Sequence, residues 1–267
     1  MAKRIFITGG ASGLGRALAE RYSRAGWRVC IGDVHEARGA ETLAALRDGH
    51  FLRCDVTQDG DLDAAAAWLQ ENWGGVDTVV NNAGVAIAGS ITEVPLTDWQ
   101  WIVDINLFGV VRGCRAFTPV FRKQGSGHFV NIASMAGLVH PPMMSAYNAT
   151  KAAVVALSET LRVELEPDHI AVSVVCPSFF RTNLTETLRV GNPDVKRMTH
   201  SLVNKAERSA DEIAEKVYRG LERREFRVLT HRDGKAGWLL KRFLPWSLYI
   251  RMFARQTRGM MRRSGEP

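Results

Sequence analysis

The sequence predicts an α/β protein, a doubly wound parallel β-sheet with helices on both faces, forming a single domain with a C-terminal helical extension. Three observations predict it. Short apolar runs alternate with amphipathic stretches through the first 180 residues, and strand-helix alternation of that kind builds a parallel sheet covered on both sides. The amphipathic stretches carry apolar residues at helical spacing, and several end near glycine. No internal repeat or low-complexity segment interrupts the series.

In chain order, residues 4–8 read as the first strand and 14–25 as the helix behind it. Strand 28–32 leads to helix 37–47, and strand 51–54 to helix 62–73. Strand 78–81 precedes a long helical pattern over 96–124, and strand 128–133 precedes a helix over 145–166. The sixth strand, 171–176, runs into Pro177, after which the pattern loosens through Phe179, Phe180 and Arg181 to about residue 210. A helix over 211–223 and a last strand over 226–229 close the domain, which is taken as 1–233. Segment 178–210 follows the carboxyl end of a strand, where ligands bind in open α/β sheets. It reads as a substrate lid, with a plain surface loop as the alternative.

Composition narrows the class. With 267 residues, 46% hydrophobic and 24% charged, the chain is that of a soluble globular protein with a sizeable core. Met1-Ala2-Lys3-Arg4 runs straight into Ile5-Phe6-Ile7 without an h-region or cleavage site, so no secretory signal is expected. No apolar run reaches the length of a spanning helix. Cys30, Cys54, Cys114 and Cys176 lie far apart and read as reduced core residues, which suits the cytoplasm. No histidine or cysteine spacing suits a metal, and none is expected. The net charge of +7 is a property of the tail: residues 235–267 hold eight Lys/Arg and one acid, leaving 27 basic and 27 acidic residues elsewhere. Nucleic acid is therefore not an expected partner.

The first strand opens into Thr8-Gly9-Gly10-Ala11-Ser12-Gly13-Leu14-Gly15. Such a turn bares backbone N–H groups and a helix N-terminus to a pyrophosphate, although its Gly-x-x-x-Gly-x-Gly spacing departs from Gly-x-Gly-x-x-Gly. Asp33 closes the second strand, 20 residues after Gly13, where a carboxylate accepts hydrogen bonds from adenosine ribose hydroxyls and repels a 2′-phosphate. Neither Ser12 nor Val34 is basic. NAD(H) is accordingly the preferred cofactor, with NADP(H) the alternative through Arg16 or Arg38. Asp55 and Val56 follow the third strand at the adenine, and Asn81-Asn82-Ala83-Gly84 ends the fourth with small residues where a dinucleotide passes. Structural turns are the competing reading for each.

Ser134 lies just past the fifth strand, Tyr147 follows 13 residues later, and Lys151 stands one helical turn beyond it. A phenol of pKa about 10 exchanges protons near neutrality only if its anion is stabilised, by roughly 4 kcal/mol to reach about 7. A lysine ammonium and an oxidised nicotinamide supply positive charge for that.

Together the glycine turn, Asp55, the Asn-Asn-Ala-Gly segment, Asn106, Ser134, Tyr147 and Lys151 resemble the short-chain dehydrogenase/reductase family in order and spacing, over about residues 3–230. The resemblance implies a Rossmann-type fold. It implies that Tyr147 exchanges the proton with the substrate oxygen, that Ser134 orients that oxygen, and that Lys151 holds the nicotinamide ribose while lowering the tyrosine pKa. It implies that Asn106 bends its helix and holds a water leading protons outward from the lysine. Where the family commonly has Pro-Gly and then a threonine meeting the nicotinamide carboxamide, this chain has Pro177-Ser178, with Thr182 in place.

The end of the chain departs from the family. Instead of the glycine-rich strand that builds a tetramer, residues 234–267 form a basic extension, so a homodimer is expected instead. On a helical wheel Trp246, Tyr249, Ile250, Phe253 and Met260 fall on one side, opposite Arg251, Arg255, Arg258 and Arg262. Trp238, Leu239, Leu240, Phe243 and Leu244 form an earlier apolar cluster, cut off by Pro245. Through 235–263 the extension reads as lying on an anionic membrane, which makes the protein cytoplasmic and peripheral on a membrane's inner face. The alternatives are packing on the protein's own body or a second subunit, or lidding the substrate site. The expected activity is NAD(H)-dependent interconversion of a lipophilic secondary alcohol (fatty, steroid-like or isoprenoid) and its carbonyl. The alternatives are an NADPH-dependent carbonyl reductase and a non-catalytic dinucleotide sensor.

Overall fold

In a computed structural model, which describes residues 2–262, seven parallel strands form one sheet in the order β3-β2-β1-β4-β5-β6-β7. They are β1 (Arg4–Thr8), β2 (Arg28–Asp33), β3 (Gly49–Arg53), β4 (Thr78–Asn81), β5 (Gly127–Ile132), β6 (Ile170–Cys176) and β7 (Arg227–Leu229). Side chains 185, 198 and 259–262 lie outside the described residues. So, therefore, do Met260 and Arg262 of the tail pattern, and residue 263.

Strand periodicity divides the core. Ile5 and Ile7 point to one face with Leu18 and Ile31, whereas Phe6 points to the other with Phe117, Phe121 and Phe129. The first face is covered by α1 (Gly13–Arg24), α2 (Glu36–Ala44) and α9 (Ala210–Glu222); the second by α3 (Asp59–Trp73), α5 (Gly109–Gln124) and α7 (Ser145–Glu164). Strands buried on both faces read as continuous apolar runs, which is why they stood out in the sequence. The four cysteines are free and buried. No described helix is long and apolar enough to cross a membrane.

The chain order reverses between β2-β1 and β4, so β1 and β4 are neighbours that diverge above their carboxyl ends. That divergence opens the crevice in which such sheets bind ligands. It is braced from below. Thr8 Oγ1 accepts from the backbone N–H groups of Asn82 (3.0 Å) and Ala83 (3.1 Å), and Asn82 Nδ2 donates to the carbonyls of Thr8 (2.9 Å) and Gly9 (3.1 Å).

Three regions differ from the sequence expectation. The pattern over 96–124 is two helices, α4 (Leu96–Val103) and α5, joined by a π-helical turn over Asp104–Phe108. After β5 the chain makes a short helix, α6 (Ala136–Val139). The loose segment contains α8 (Pro193–Asn204), where Asn192 caps the N-terminus by accepting from the Asp194 N–H at 2.9 Å and Pro193 occupies the first turn. Asn-Pro reads as a turn in sequence, yet cap followed by proline is also how a helix begins.

The extension folds as α10 (Arg232–Phe243) and α11 (Trp246–Arg262), broken at Leu244-Pro245. Part of its apolar side turns inward, while Phe243, Trp246 and Ile250 stay exposed. Trp238 packs against the core, and Tyr249 is 2% exposed, donating its hydroxyl to the Val139 carbonyl at 3.3 Å. Lys241 Nζ donates to the Leu138 carbonyl at 2.7 Å. Body packing, the alternative reading of this stripe, thus accounts for its central residues.

Candidate active site

A cavity of about 810 Å³ opens above the carboxyl ends of the strands, and most of the sequence-predicted residues line it: Gly9, Ser12, Gly13, Leu14, Asp33, Asp55, Val56, Asn82, Ala83, Gly84, Ser134, Tyr147, Lys151, Pro177 and Thr182. Gly15 and Asn106 stand behind its wall.

At one end the glycine turn leaves room that side chains would fill. Gly9 and Gly13 have φ of +63° and +53°, and a Cβ on Gly9 would meet the Ala83 backbone at 2.9 Å. A Cβ on Gly15 would stand 2.0 Å from the Gly9 carbonyl oxygen, so this glycine lets helix and turn close on each other. Ser12 caps α1 in extended conformation, yet its side chain makes no capping bond. The helix N-terminus therefore faces the cavity without an internal acceptor, the arrangement that takes an anion. Asp33 is 8% exposed; its two oxygens accept from the N–H groups of Ala11 and His35, both at 3.0 Å, which orients the carboxylate while leaving lone pairs for hydroxyl donors. Asp55 is oriented by Thr57, whose N–H and hydroxyl donate at 2.9 and 2.8 Å. The two arginines that could serve a 2′-phosphate are ion-paired at 2.8 Å, Arg16 with Glu20 and Arg38 with Glu186, the second pair lining the cavity itself.

At the other end, α7 carries Tyr147 and Lys151 on its buried face, opposite Ser134 from the loop after β5. Lys151 Nζ donates to the Ile132 carbonyl at 2.9 Å and stands 5.8 Å from the centre of the Tyr147 ring. Burial lowers the Lys151 pKa to about 8. Burial also raises that of Tyr147, against which the Ser134 hydroxyl pulls it down. Ser134 Oγ is positioned by accepting from Ala136 N–H (3.1 Å) and donating to the Pro177 carbonyl (3.3 Å). Gly84 lets the cluster close: a Cβ there would lie 3.1 Å from Asn106 Oδ1 and 3.4 Å from Lys151 Nζ.

Asn106 is fully buried in the π turn. It accepts from Val85 N–H at 2.8 Å and donates to the Val85 carbonyl at 2.9 Å, pairing like a strand residue with the segment after β4. Ser178 fits where the family commonly has glycine, its N–H donating to His231 Nδ1 at 3.2 Å. The Thr182 hydroxyl stands over the glycine turn, 2.8 Å from where a Gly13 Cβ would be.

The geometry agrees with a match of residues 3–192 to the model of the short chain dehydrogenase family. The chain belongs to that family. It is 32% identical to a CLA biosynthesis dehydrogenase/reductase of Lactiplantibacillus plantarum, over 86% of this chain and 88% of that one. It is 34% identical to a 3-alpha-(or 20-beta)-hydroxysteroid dehydrogenase of Mycobacterium tuberculosis, over 70% and 72%. Among solved structures, a Burkholderia phymatum short chain dehydrogenase/reductase in complex with NAD superposes with a TM-score of 0.86 at 33% identity, covering 90% of this chain and 93% of that one. This short-chain dehydrogenase is accordingly an oxidoreductase of the class that acts on alcohol and carbonyl groups.

Sequence reasoning missed part of the cavity lining. Beside Ser134 and Tyr147 the dehydrogenase presents Trp101, Met135, Val139 and Met144, and from farther along the chain Leu184, Leu188, Val203 and Phe253. These are core-type residues with no motif around them, and only tertiary folding brings them together. Phe179 and Phe180, in the segment read as a lid, both line the cavity.

Proposed function

We propose that this dehydrogenase uses NAD(H) to interconvert a lipophilic secondary alcohol and its ketone. The observation that carries the reading is the continuity of one cavity from Asp33 and the glycine turn, past Tyr147 and Lys151, to an apolar chamber. The turn fits a dinucleotide because its glycines leave an unfilled cradle at a helix N-terminus, and Asp33 suits a free 2′-hydroxyl better than a phosphate.

Bound NAD supplies the hydride acceptor, and its reduced form the donor. In oxidation the Tyr147 phenolate takes the proton from the alcohol oxygen; in reduction the phenol returns it. Ser134, once its hydroxyl turns from the Pro177 carbonyl, donates a hydrogen bond to that oxygen and fixes its distance from the phenol. Lys151, anchored on the Ile132 carbonyl, supplies positive charge that favours the phenolate and offers donors to ribose hydroxyls. Asn106 holds the strand end and the lysine cavity in register through Val85.

Substitution of Asp33 by Ala tests the cofactor assignment. NAD is expected to bind about 10–100-fold more weakly, the loss of one to two charge-assisted hydrogen bonds. An NADPH-linked enzyme would keep its NADPH affinity or gain.

The corner between α10 and α11 supports docking on an anionic membrane. Phe243, Trp246, Leu248 and Ile250 are exposed there, by 76, 63, 53 and 39%. Residues 232–258 hold seven Lys/Arg and one acid, Asp233. Two copies meeting across a two-fold axis at this corner would oppose like charges, whereas anionic headgroups complement them and the apolar side chains enter the interface.

A further inference from the structure

We infer that α11 is a wall of the substrate chamber and that Phe253 on it selects for apolar bulk in the alcohol. The inference rests on the proposed reaction for its substrate class. Its residues lie beyond 192, where the family match ends.

Phe253 and Thr257, one turn apart, line the cavity that holds Tyr147 and Lys151, and Thr199 and Val203 of α8 line it as well. Two elements outside the common sheet thus enclose one end of the site. Phe253 is held in position. Its ring stacks on Tyr249 at 5.5 Å between centroids and 14° between planes, and Tyr249 is pinned by its hydroxyl to Val139 of α6, itself a lining residue.

The wall also lacks polar reach. Thr257 Oγ1 donates to the Phe253 carbonyl and Thr199 Oγ1 to the Val195 carbonyl, each at 2.9 Å, so both hydroxyls are turned back on their own helices. The charged lining residues are ion-paired or belong to the cofactor and catalytic ends: Arg38 pairs with Glu186 and Asp104 with Arg112, Lys151 stands beside Tyr147, and Asp33 and Asp55 serve the cofactor end. A substrate whose far end is hydrocarbon loses nothing on entering, while one with a distal carboxylate or hydroxyl leaves that group unpaired.

The test compares kcat/KM for 2-octanol and 2-propanol in the wild type and in Phe253→Ala, Phe253→Leu and Trp246→Ser. Phe253→Ala is expected to lower the 2-octanol value about 10–100-fold through KM, with 2-propanol and NAD binding changed less than about twofold. Phe253→Leu falls between, which covers the case in which the alanine variant does not fold. Trp246→Ser, at an outward position of the same helix, is expected to match the wild type. Binding of the neutral fluorophore N-phenyl-1-naphthylamine, followed by its emission and by displacement with 2-octanol, reads the wall without turnover; Phe253→Ala weakens it and the outward Trp246→Ser does not.

Weakened fluorophore binding without turnover of any alcohol would keep the wall and sink the proposed reaction. An unchanged 2-octanol to 2-propanol ratio together with unchanged fluorophore binding in both Phe253 variants overturns the inference.

Discussion

Lys151 occupies a place that costs the fold something. Its ammonium is buried, and burial holds its pKa at about 8 against an ordinary 10.5. The unfolded chain therefore binds more protons than the native one between those values, so this group adds stability as pH rises from about 8 to 10.5 and subtracts it as pH falls back. Lys151→Met does not titrate. In cofactor-free protein the wild type is expected to gain about 3 kcal/mol on Lys151→Met over that interval, read from urea unfolding at several pH values. A pH-independent difference would mean the lysine is not desolvated. Tyr147 and Ser134 were legible in sequence because their spacing to Lys151 and the glycine turn is distinctive. Phe253 was visible only as one member of an amphipathic stripe, since Val139, which pins its neighbour Tyr249, lies 110 positions away.

At the scale of elements, the π turn over Asp104–Phe108 shows how a local irregularity serves the site. One end is fixed by Arg112, whose Nη1 donates to the Asp104 carboxylate at 2.7 Å and to the Val56 carbonyl at 3.1 Å. The other requirement is Asn106, which must turn both amide groups toward Val85, and a π turn re-aims its side chain. Asn106→Ala leaves the Val85 N–H and C=O buried without these partners, an expected loss of about 2–4 kcal/mol in urea unfolding. A loss below about 1 kcal/mol would show that the turn forms for another reason. The bend at Asn106 was expected from the family resemblance alone, because helical periodicity runs through the segment unbroken. Strands and main helices were legible since burial on both faces leaves continuous apolar runs. Helix α8 was not, because its capping residues double as turn residues.

Across the whole molecule, the extension joins two surfaces. The inward side of α11 lines the cavity, and the corner at Pro245 exposes aromatic and aliphatic side chains beside arginines. Flotation with vesicles of phosphatidylcholine alone, or with one-fifth phosphatidylglycerol, checks the outward surface. Binding is expected only with the anionic lipid, weakening with salt, and falling at least about fivefold in a Phe243→Ser, Trp246→Ser double variant. Equal flotation by the variant, or an equilibrium dimer that the variant dissolves, would assign the corner otherwise. The sequence exposed the stripe but not which half of it the body covers, a matter of packing rather than pattern.

Tyr147 lines the cavity that the strand ends and the extension share, and the most direct measurement is NADH formation from NAD and a secondary alcohol, by the wild type and Tyr147→Phe, beside NAD binding by both. Tyr147→Phe is expected to lower kcat about 10²–10⁴-fold with NAD affinity kept within about twofold. Turnover that survives the loss of the phenolic hydroxyl, or NAD binding by the wild type without turnover of any alcohol or ketone, would contradict the proposed reaction.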